Sequence, residues 1–491
     1  MRRRLTLLLP ALVGLAVSAL AQETPDQQAR RLLEEGQAYR AQGKLKQAID
    51  NFNIVVSSFS TTDSVGDALL EIGRYRMEVE GDAEKARASF EQVTKQYARS
   101  DAAPGGYYYL GLLILSRATT APELDDALAN FTRVATLYPR SEWVPRALAA
   151  SARAHRRAGR YADAADLNRR VSLEYPASDA AAEAQFEIGR ALALQGQPRV
   201  AMEEFQQVRN RFPESPWARP ALERTTALYR LFGGAKPVFA LDAGFSLAGG
   251  DVLKDVKALA TAAEGTLWVA SEKSRSAVPF DSSGKAGASR GVEQPRALSL
   301  TPAGDVLLAG RAAVRVGASD IRSFTTPPDK PGAEAKPVDS ILAAAITTGG
   351  SVLVSDEDRG AILRYDAKGQ YLGTFPDAAK RKVSRILVDG EGGIVTLDPD
   401  EKVVRIWHET GRLVRGVGPA GLKRPADVAV DAFRNLYVAD EELGILVFNP
   451  QGQLLATITS PELKRPKAVT LDATGAVLVY DDRAERVLRY R

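Results

Sequence analysis

The sequence predicts a multidomain α + β protein: an all-α solenoid of helical hairpins, followed by an all-β six-bladed propeller. Three observations carry that expectation. An Ala-aromatic pattern recurs every 37 to 41 residues through the first half. A strand unit marked by Asp recurs every 41 or 42 residues near the end of the chain. Between the two, "FGGAKP" stops the helical pattern with a short run of breakers. Periods of this size point to stacked repeats.

In the first half the anchors are Ala48, Ala86, Ala127, Ala164 and Ala201. Four residues after each stands Phe52, Phe90, Phe131, Asn168 or Phe205. An Ala and an aromatic at i and i+4 share one helix face, so the small residue admits a neighbouring helix that the ring packs beside. Five residues before the anchors come Gly43, Gly81, Pro122, Gly159 and Gly196, where one helix ends and the next begins. Eleven residues after them stand Phe59, Tyr97, Tyr138, Tyr175 and Phe212. Pro139, Pro176 and Pro213 then stop the second helix of a hairpin. Ser141, Ser178 and Ser215 are placed to cap the next first helix.

With these residues in place, the stretch from about Asp26 to Leu231 resembles the tetratricopeptide repeat family, as five hairpins and a capping helix over 26–231. The "YPRS", "YPAS" and "FPES" ends are similar to the variant found in periplasmic outer-membrane-assembly and Tol–Pal-associated proteins. The third repeat departs, because "LILSRATTAPELD" adds residues between its helices. The resemblance implies a groove lined by the first helix of each hairpin.

After a linker at 232–236, short alternating apolar runs fill 237–491. Asp356, Asp398, Asp440 and Asp481 mark the end of each second strand, at intervals of 42, 42 and 41. Ser271 and Gly310 fit the slot less well. Tyr365, Trp407, Phe448 and Tyr490 close the third strands with nearly the same period, and Phe280 fits that slot earlier. About 42 residues per four-stranded unit is a propeller-blade period. Six units follow, with inner strands near Lys257, Arg296, Ile341, Ile386, Val428 and Val469. The last has only three strands, so the strand at 237–244 is expected to close its blade and remove an open edge. These units resemble NHL repeats, most specifically over Val338–Arg491. The first two blades match poorly, and "TTPPDKPGAEAKP" reads as a mobile loop.

The chain opens Met1-Arg2-Arg3-Arg4, runs apolar from Leu5 to Val17, and reaches Ala19-Leu20-Ala21. This is the pattern of a cleaved export signal over 1–21. The run is short for a membrane span, and no other stretch approaches that length. With no cysteine, lipid attachment at the cleaved end and disulfides are both excluded. The formal charge of +4 falls to +1 without Arg2, Arg3 and Arg4. From Pro237 onward, 33 basic residues balance 33 acidic ones. Such neutrality argues against nucleic-acid binding. The expected location is therefore periplasmic, secreted or cell-surface.

Catalytic constellations are sparse. There is no thiol, and the two histidines, His155 and His408, lie in different halves. His155 reads as helix packing and His408 as a surface position. Neither has a zinc-type neighbour, and no nucleophile elbow or P-loop occurs. Asp389, Asp431 and Asp472 end inner strands and read as turn caps rather than a metal ring. The acidic second turns lack calcium-loop spacing. No catalytic residue, metal or cofactor is expected.

Two binding surfaces are expected instead. Arg40, Arg74, Arg153, Arg156 and Arg190 occupy two slots one turn apart on successive first helices. Guanidinium groups in that pattern suit an acidic segment or a C-terminal carboxylate. On the propeller, Lys380-Arg381-Lys382, Lys423-Arg424 and Lys464-Arg465 precede inner strands. Strand alternation puts Asp356-Glu357-Asp358, Asp440-Glu441-Glu442 and Asp481-Asp482 on the same face. That face is expected to be mixed in sign, with Lys423, Arg424, Lys464 and Arg465 as candidate contacts. The expected function is an exported bacterial envelope scaffold joining other envelope proteins, or a protein to an envelope polymer. The alternative is a propeller enzyme of metal-dependent lactonase or lyase type with a helical adaptor.

Overall fold

The structure, a computed structural model, describes residues 23–118, 120–247, 249–327, 334–375, 381–418 and 421–491. The expected export signal at 1–21 lies outside the described residues, as do Lys380 and the centre of the segment 325–337. Eleven helices form a hairpin-like array, and six small antiparallel sheets follow as a six-bladed propeller. By contact density the chain separates into two compact units. One is the described part of Met1–Leu113 with Arg133–Trp143. The other is Ile114–Thr132 with Val144–Arg491.

The first unit contains α1 (Pro25–Ala41), α2 (Leu45–Ser58), α3 (Ser64–Glu78) and α4 (Ala83–Gln96). It also holds the start of α5 (Ala103–Arg117) and the end of α6 (Ala121–Leu137). Thr24 and Gln27 form a reciprocal capping box at the start of α1, and Pro25 sits where its missing N–H costs nothing. Gly43 and Gly81 turn the chain between paired helices with φ of 74° and 66°, a region that favours glycine. The repeat logic is a close approach. A Cβ on Gly36 would lie 2.5 Å from the Phe52 ring, so the ring packs on bare helix backbone. Phe90 does the same against Gly73. Ala48 and Ala86 are buried beside these rings. Ser141 accepts a hydrogen bond from the Trp143 backbone N–H at 3.3 Å.

The second unit contains the rest of α5 and α6, then α7 (Trp143–Arg157), α8 (Tyr161–Glu174), α9 (Ala181–Leu194), α10 (Pro198–Arg211) and α11 (Ala218–Phe232). Phe205 lies on Gly189 as Phe52 lies on Gly36, with a Cβ on Gly189 only 2.8 Å from its ring. Ser215 caps through the Trp217 N–H at 3.0 Å. Ser178 does not cap: its hydroxyl is buried with no hydrogen-bond partner among the described residues.

The sheets follow in chain order. Blade one is β1 (Val256–Thr261), β2 (Leu267–Ser271), β3 (Ser276–Phe280) and β4 (Arg290–Gly291). Blade two is β5 (Ala297–Leu300), β6 (Val306–Ala309), β7 (Val314–Val316) and β8 (Asp320–Arg322). The segment read as a mobile loop has paired ends, the ribbon β9 (Thr325–Thr326) and β10 (Lys336–Pro337). Blade three is β11 (Ile341–Ile346), β12 (Val352–Asp356), β13 (Ala361–Tyr365) and β14 (Tyr371–Phe375). Blade four is β15 (Arg385–Val388), β16 (Ile394–Asp398), β17 (Val403–Trp407) and β18 (Leu413–Val417). Blade five is β19 (Pro425–Val430), β20 (Leu436–Asp440), β21 (Gly444–Phe448) and β22 (Leu454–Ile458). Blade six is β23 (Pro466–Leu471), β24 (Val477–Asp481) and β25 (Arg486–Tyr490).

The inner strands β1, β5, β11, β15, β19 and β23 adjoin in a closed cycle. Second strands β2, β12, β16, β20 and β24 are buried along their whole length, because each is covered on both faces by neighbouring blades. Beside β25, Ala240 and Arg491 exchange backbone hydrogen bonds at 2.8 and 2.9 Å. Asp242 N–H donates to Arg489 at 2.8 Å, and its carboxylate pairs with the Arg489 and Arg491 side chains. The sheet edge is thereby covered.

Candidate binding surfaces

The turns between first and second strands are built alike. Asp389 Oδ1 accepts the backbone N–H groups of Glu391 and Gly393, both at 2.8 Å. Asp431 Oδ1 does so for Phe433 and Asn435 at 2.8 Å, and Asp472 Oδ1 for Thr474 and Ala476 at 2.9 and 3.0 Å. These are side-chain turn caps, and they fix which residue stands at each tip. The tips are Glu391, Phe433 and Thr474, and all three meet the helices of the second unit.

Glu391 enters the face expected to hold an acidic segment. Arg190 donates to it at 2.7 Å, and Arg156 pairs with its other oxygen. Glu187 completes the cluster, 3.1 Å from Arg156 and 3.3 Å from Arg190. The side chains of Glu391, Glu187 and Arg156 are 6%, 7% and 10% exposed, so this is a buried network. The carboxylate on Arg156 and Arg190 is therefore the chain's own. Phe433 is buried with its ring 6.4 Å from Phe205, in a core shared with α9 and α10. Arg434 takes the left-handed φ of 68° behind it, and its guanidinium returns to Asp389 at 2.8 Å. Arg230 Nε donates to the Thr474 carbonyl at 3.1 Å.

The other groove arginines divide. In the first unit, Arg40 pairs with Glu71 at 2.6 Å and Glu78 at 3.0 Å, and Arg74 pairs with Glu71 at 2.9 Å. The Arg74 guanidinium also lies 5.5 Å from the Tyr109 ring centre. Near them, Asp67 is pushed up to about 6 by burial, with the charges of Asp101 and Glu71 adding to it. Arg153 makes no hydrogen bond or ion pair with any described residue, and its Nε is buried.

On the opposite ends of the strands, Asp440 Oδ2 accepts the backbone N–H groups of Lys423 and Arg424 at 2.7 and 3.0 Å. Asp481 Oδ2 takes those of Lys464 and Arg465 at 2.5 and 2.7 Å. Both carboxylates are fully buried, and each also caps its own acidic turn. The basic pairs are thus held by their backbones while their side chains project. Arg424 pairs with Glu441 at 3.1 Å, and Arg465 with Asp482. Lys382 pairs with Glu357 at 3.4 Å, and Arg381 lies 5.6 Å from the Trp407 ring centre. Lys423 and Lys464 are exposed and form no ion pair with described residues. The face is mixed in sign.

The propeller axis holds a pair that the repeat pattern did not single out. Arg385 and Asp427 are buried and meet at 3.0 Å. Arg385 also donates to the carbonyls of Leu259, at 3.1 Å, and Leu298. Asp427 accepts the Val469 N–H at 2.9 Å. Burial pushes the Asp427 carboxyl up, against the opposing pull of Arg385. One ion pair therefore ties blades one, two, four, five and six together.

His155 lies 3.4 Å from Asp163, and burial lowers its pKa. His408 is half-buried, with Nδ1 2.9 Å from Thr410 Oγ1. Among the described residues no cluster of three or more Asp, Glu or His side chains could hold a metal. No helix there is long and apolar enough to cross a membrane.

A profile of the tetratricopeptide repeat matches residues 67–100 and 183–215. No curated protein matches by sequence. Among solved structures, a streptogramin B lyase is similar at 12% identity over 52% of this chain and 99% of its own, with a TM-score of 0.39. A catalytically inactive virginiamycin B lyase from Staphylococcus aureus with quinupristin matches at 14% identity over 51% of this chain and 85% of its own, also with a TM-score of 0.39. The selenomethionine-substituted virginiamycin B lyase from Staphylococcus aureus gives 14%, 50%, 82% and 0.37 for the same measures. Repeat profile, helix order and sheet topology agree: the chain carries tetratricopeptide repeats in an eleven-helix array, followed by a six-bladed β-propeller.

Proposed function

We propose that the protein is a non-catalytic scaffold exported to the bacterial envelope, where it joins two partners. Tetratricopeptide arrays and propellers are both folds that present extended surfaces to other proteins. The observation that carries the reading is the fixed backbone beneath Lys423, Arg424, Lys464 and Arg465. Buried Asp440 and Asp481 hold the strand entries rigid, so that exposed cations of adjacent blades keep a constant spacing. Rigid presentation lowers the ordering cost of binding. Its mixed sign suits complementarity and partner choice more than raw affinity. The blades fit an NHL-like pattern best from Val338 onward.

Arg153, which makes no hydrogen bond or ion pair with any described residue, is the groove position we assign to a second partner, through an acidic segment or a C-terminal carboxylate. Arg40 and Arg74 already hold Glu71. Arg156 and Arg190 already hold Glu391. An enzyme of the competing type needs acidic or amide groups converging on a channel mouth free of Lys and Arg. In this channel Arg385, paired with Asp427, is among the lining residues, which favours the scaffold. Crosslinking in intact cells, followed by mass spectrometry, tests it. The full chain is expected to capture envelope proteins, and the quadruple change of Lys423, Arg424, Lys464 and Arg465 to Ala to lose one set of them. An unchanged set overturns the propeller-face assignment. Recovery of the chain in the cytoplasm with residues 1–21 intact overturns the export reading.

A further inference from the structure

Over one mouth of the propeller channel lies a cavity of about 550 Å³, between α11 and the turns that follow the inner strands. It continues into the channel through Thr261, Leu300, Val430 and Leu471, which line both spaces. The size suits a small ligand. Its walls are mostly small and apolar, including Pro216, Pro220, Ala227 and Ala262.

Its charged groups are satisfied unevenly from within the protein. Arg224 on α11 lines it and makes no hydrogen bond or ion pair with any described residue. The nearby acids are engaged. Glu223 holds Arg219 at 3.0 Å, and Asp431 spends Oδ1 on two backbone N–H groups and Oδ2 on Asn435. Burial lowers the Arg224 pKa and the neighbouring charge of Arg190 adds to this, against the opposing pull of Asp431 and Glu223. A half-buried guanidinium with five donors and no acceptor is a costly arrangement unless something supplies the acceptor. Two acids at the same cavity are free in the complementary sense. Asp472 gives Oδ1 to its turn, while Oδ2 accepts no hydrogen bond from described residues. Glu264 is exposed and unpaired among them.

A cavity with one unpaired cation, two available carboxylate sites and an apolar floor is complementary to a zwitterion with an apolar body. We propose that this cavity binds a short apolar peptide free at both ends, with its carboxylate on Arg224 and its ammonium at Asp472 and Glu264. The planar fork of Arg224 suits a terminal carboxylate in two-point contact. Apolar side chains would enter the channel toward Arg385. This site is separate from the surfaces assigned to the scaffold, and it stands or falls without them.

Calorimetric titration of the full chain with leucyl-leucine tests the proposal. Saturable binding is expected. Leucyl-leucinamide and N-acetyl-leucyl-leucine are each expected to bind at least about 10-fold more weakly, as loss of a charge-assisted contact implies. Arg224→Gln is expected to weaken leucyl-leucine binding by about 10- to 100-fold, with the unfolding midpoint unchanged. Should that variant fail to fold, the amide and acetyl comparisons on the natural chain decide alone. Equal binding of acid and amide overturns the proposal. So does the absence of saturation up to about 10 mM, or equal displacement of the peptide by inorganic phosphate.

Discussion

Glu391 belongs to a propeller turn, yet Arg190 of helix α9 donates to it at 2.7 Å. The two residues stand 201 positions apart in the chain, and this contact decides how the arginine face can be used.

Replacing Glu391 by Gln leaves two buried guanidinium groups with only Glu187 to compensate them. We expect a loss of about 3 kcal/mol in urea unfolding. A double-mutant cycle with Arg190→Ala should show coupling of at least about 1 kcal/mol. Additive losses would mean that the contact carries little of the packing between α9 and blade four.

Asp440 and the side chains around it should separate cleanly. Asp440→Ala removes the acceptor for four backbone N–H groups. It is expected to cost at least about 3 kcal/mol. Lys423→Ala with Arg424→Ala should stay within about 0.5 kcal/mol, because only exposed side chains are lost. Thermal unfolding of the two variants checks the order.

The first unit should lose stability as pH rises. Asp67 has a folded pKa of about 6, above its ordinary 3.8. The folded state therefore binds more protons than the unfolded state between those values. Stability falls as pH climbs from about 4 to about 6 and is level above that. Asp67→Asn is expected to flatten this slope and to add about 1 kcal/mol at pH 7. Denaturant midpoints measured at pH 4.5 and 7 on both proteins give the comparison.

Gly189→Ala runs against helix propensity. On an exposed helix it would gain about 1 kcal/mol. Here the new methyl meets the Phe205 ring at 2.8 Å, so a net loss of about 1–3 kcal/mol is expected. A stabilised variant, read by calorimetry, would show that the ring is free to withdraw.

The sequence is legible where an interaction repeats. Gly36, Gly73 and Gly189 face rings at a fixed offset, and Asp356, Asp398, Asp440 and Asp481 recur once per blade. Both signals are local and periodic. Glu391 and Phe433 were missed because turn tips are where the repeats differ from one another. Their common feature is the capping Asp two residues earlier, which identifies the tip but not what it meets. Arg385 and Asp427 were legible in principle. They stand one 42-residue period apart, in a slot that Ala343 and Ala468 fill in other blades. Opposite charges in one slot of adjacent blades are a signal of pairing across the axis. Ser178 misled, because the cap pattern it shares with Ser141 and Ser215 is not used.

The segment beside β25 has a consequence in time. Asp242 and Arg489 are partners 247 residues apart. At a synthesis rate of about 5–20 residues per second, the first waits on the order of tens of seconds for the second. Throughout that interval the helices can form from neighbours already made, while the ring stays open. Its growing edge is a template for pairing with any other strand. The propeller is thus the slow partner in assembly, and the interval before its last strand arrives is when the chain most needs protection from its own kind.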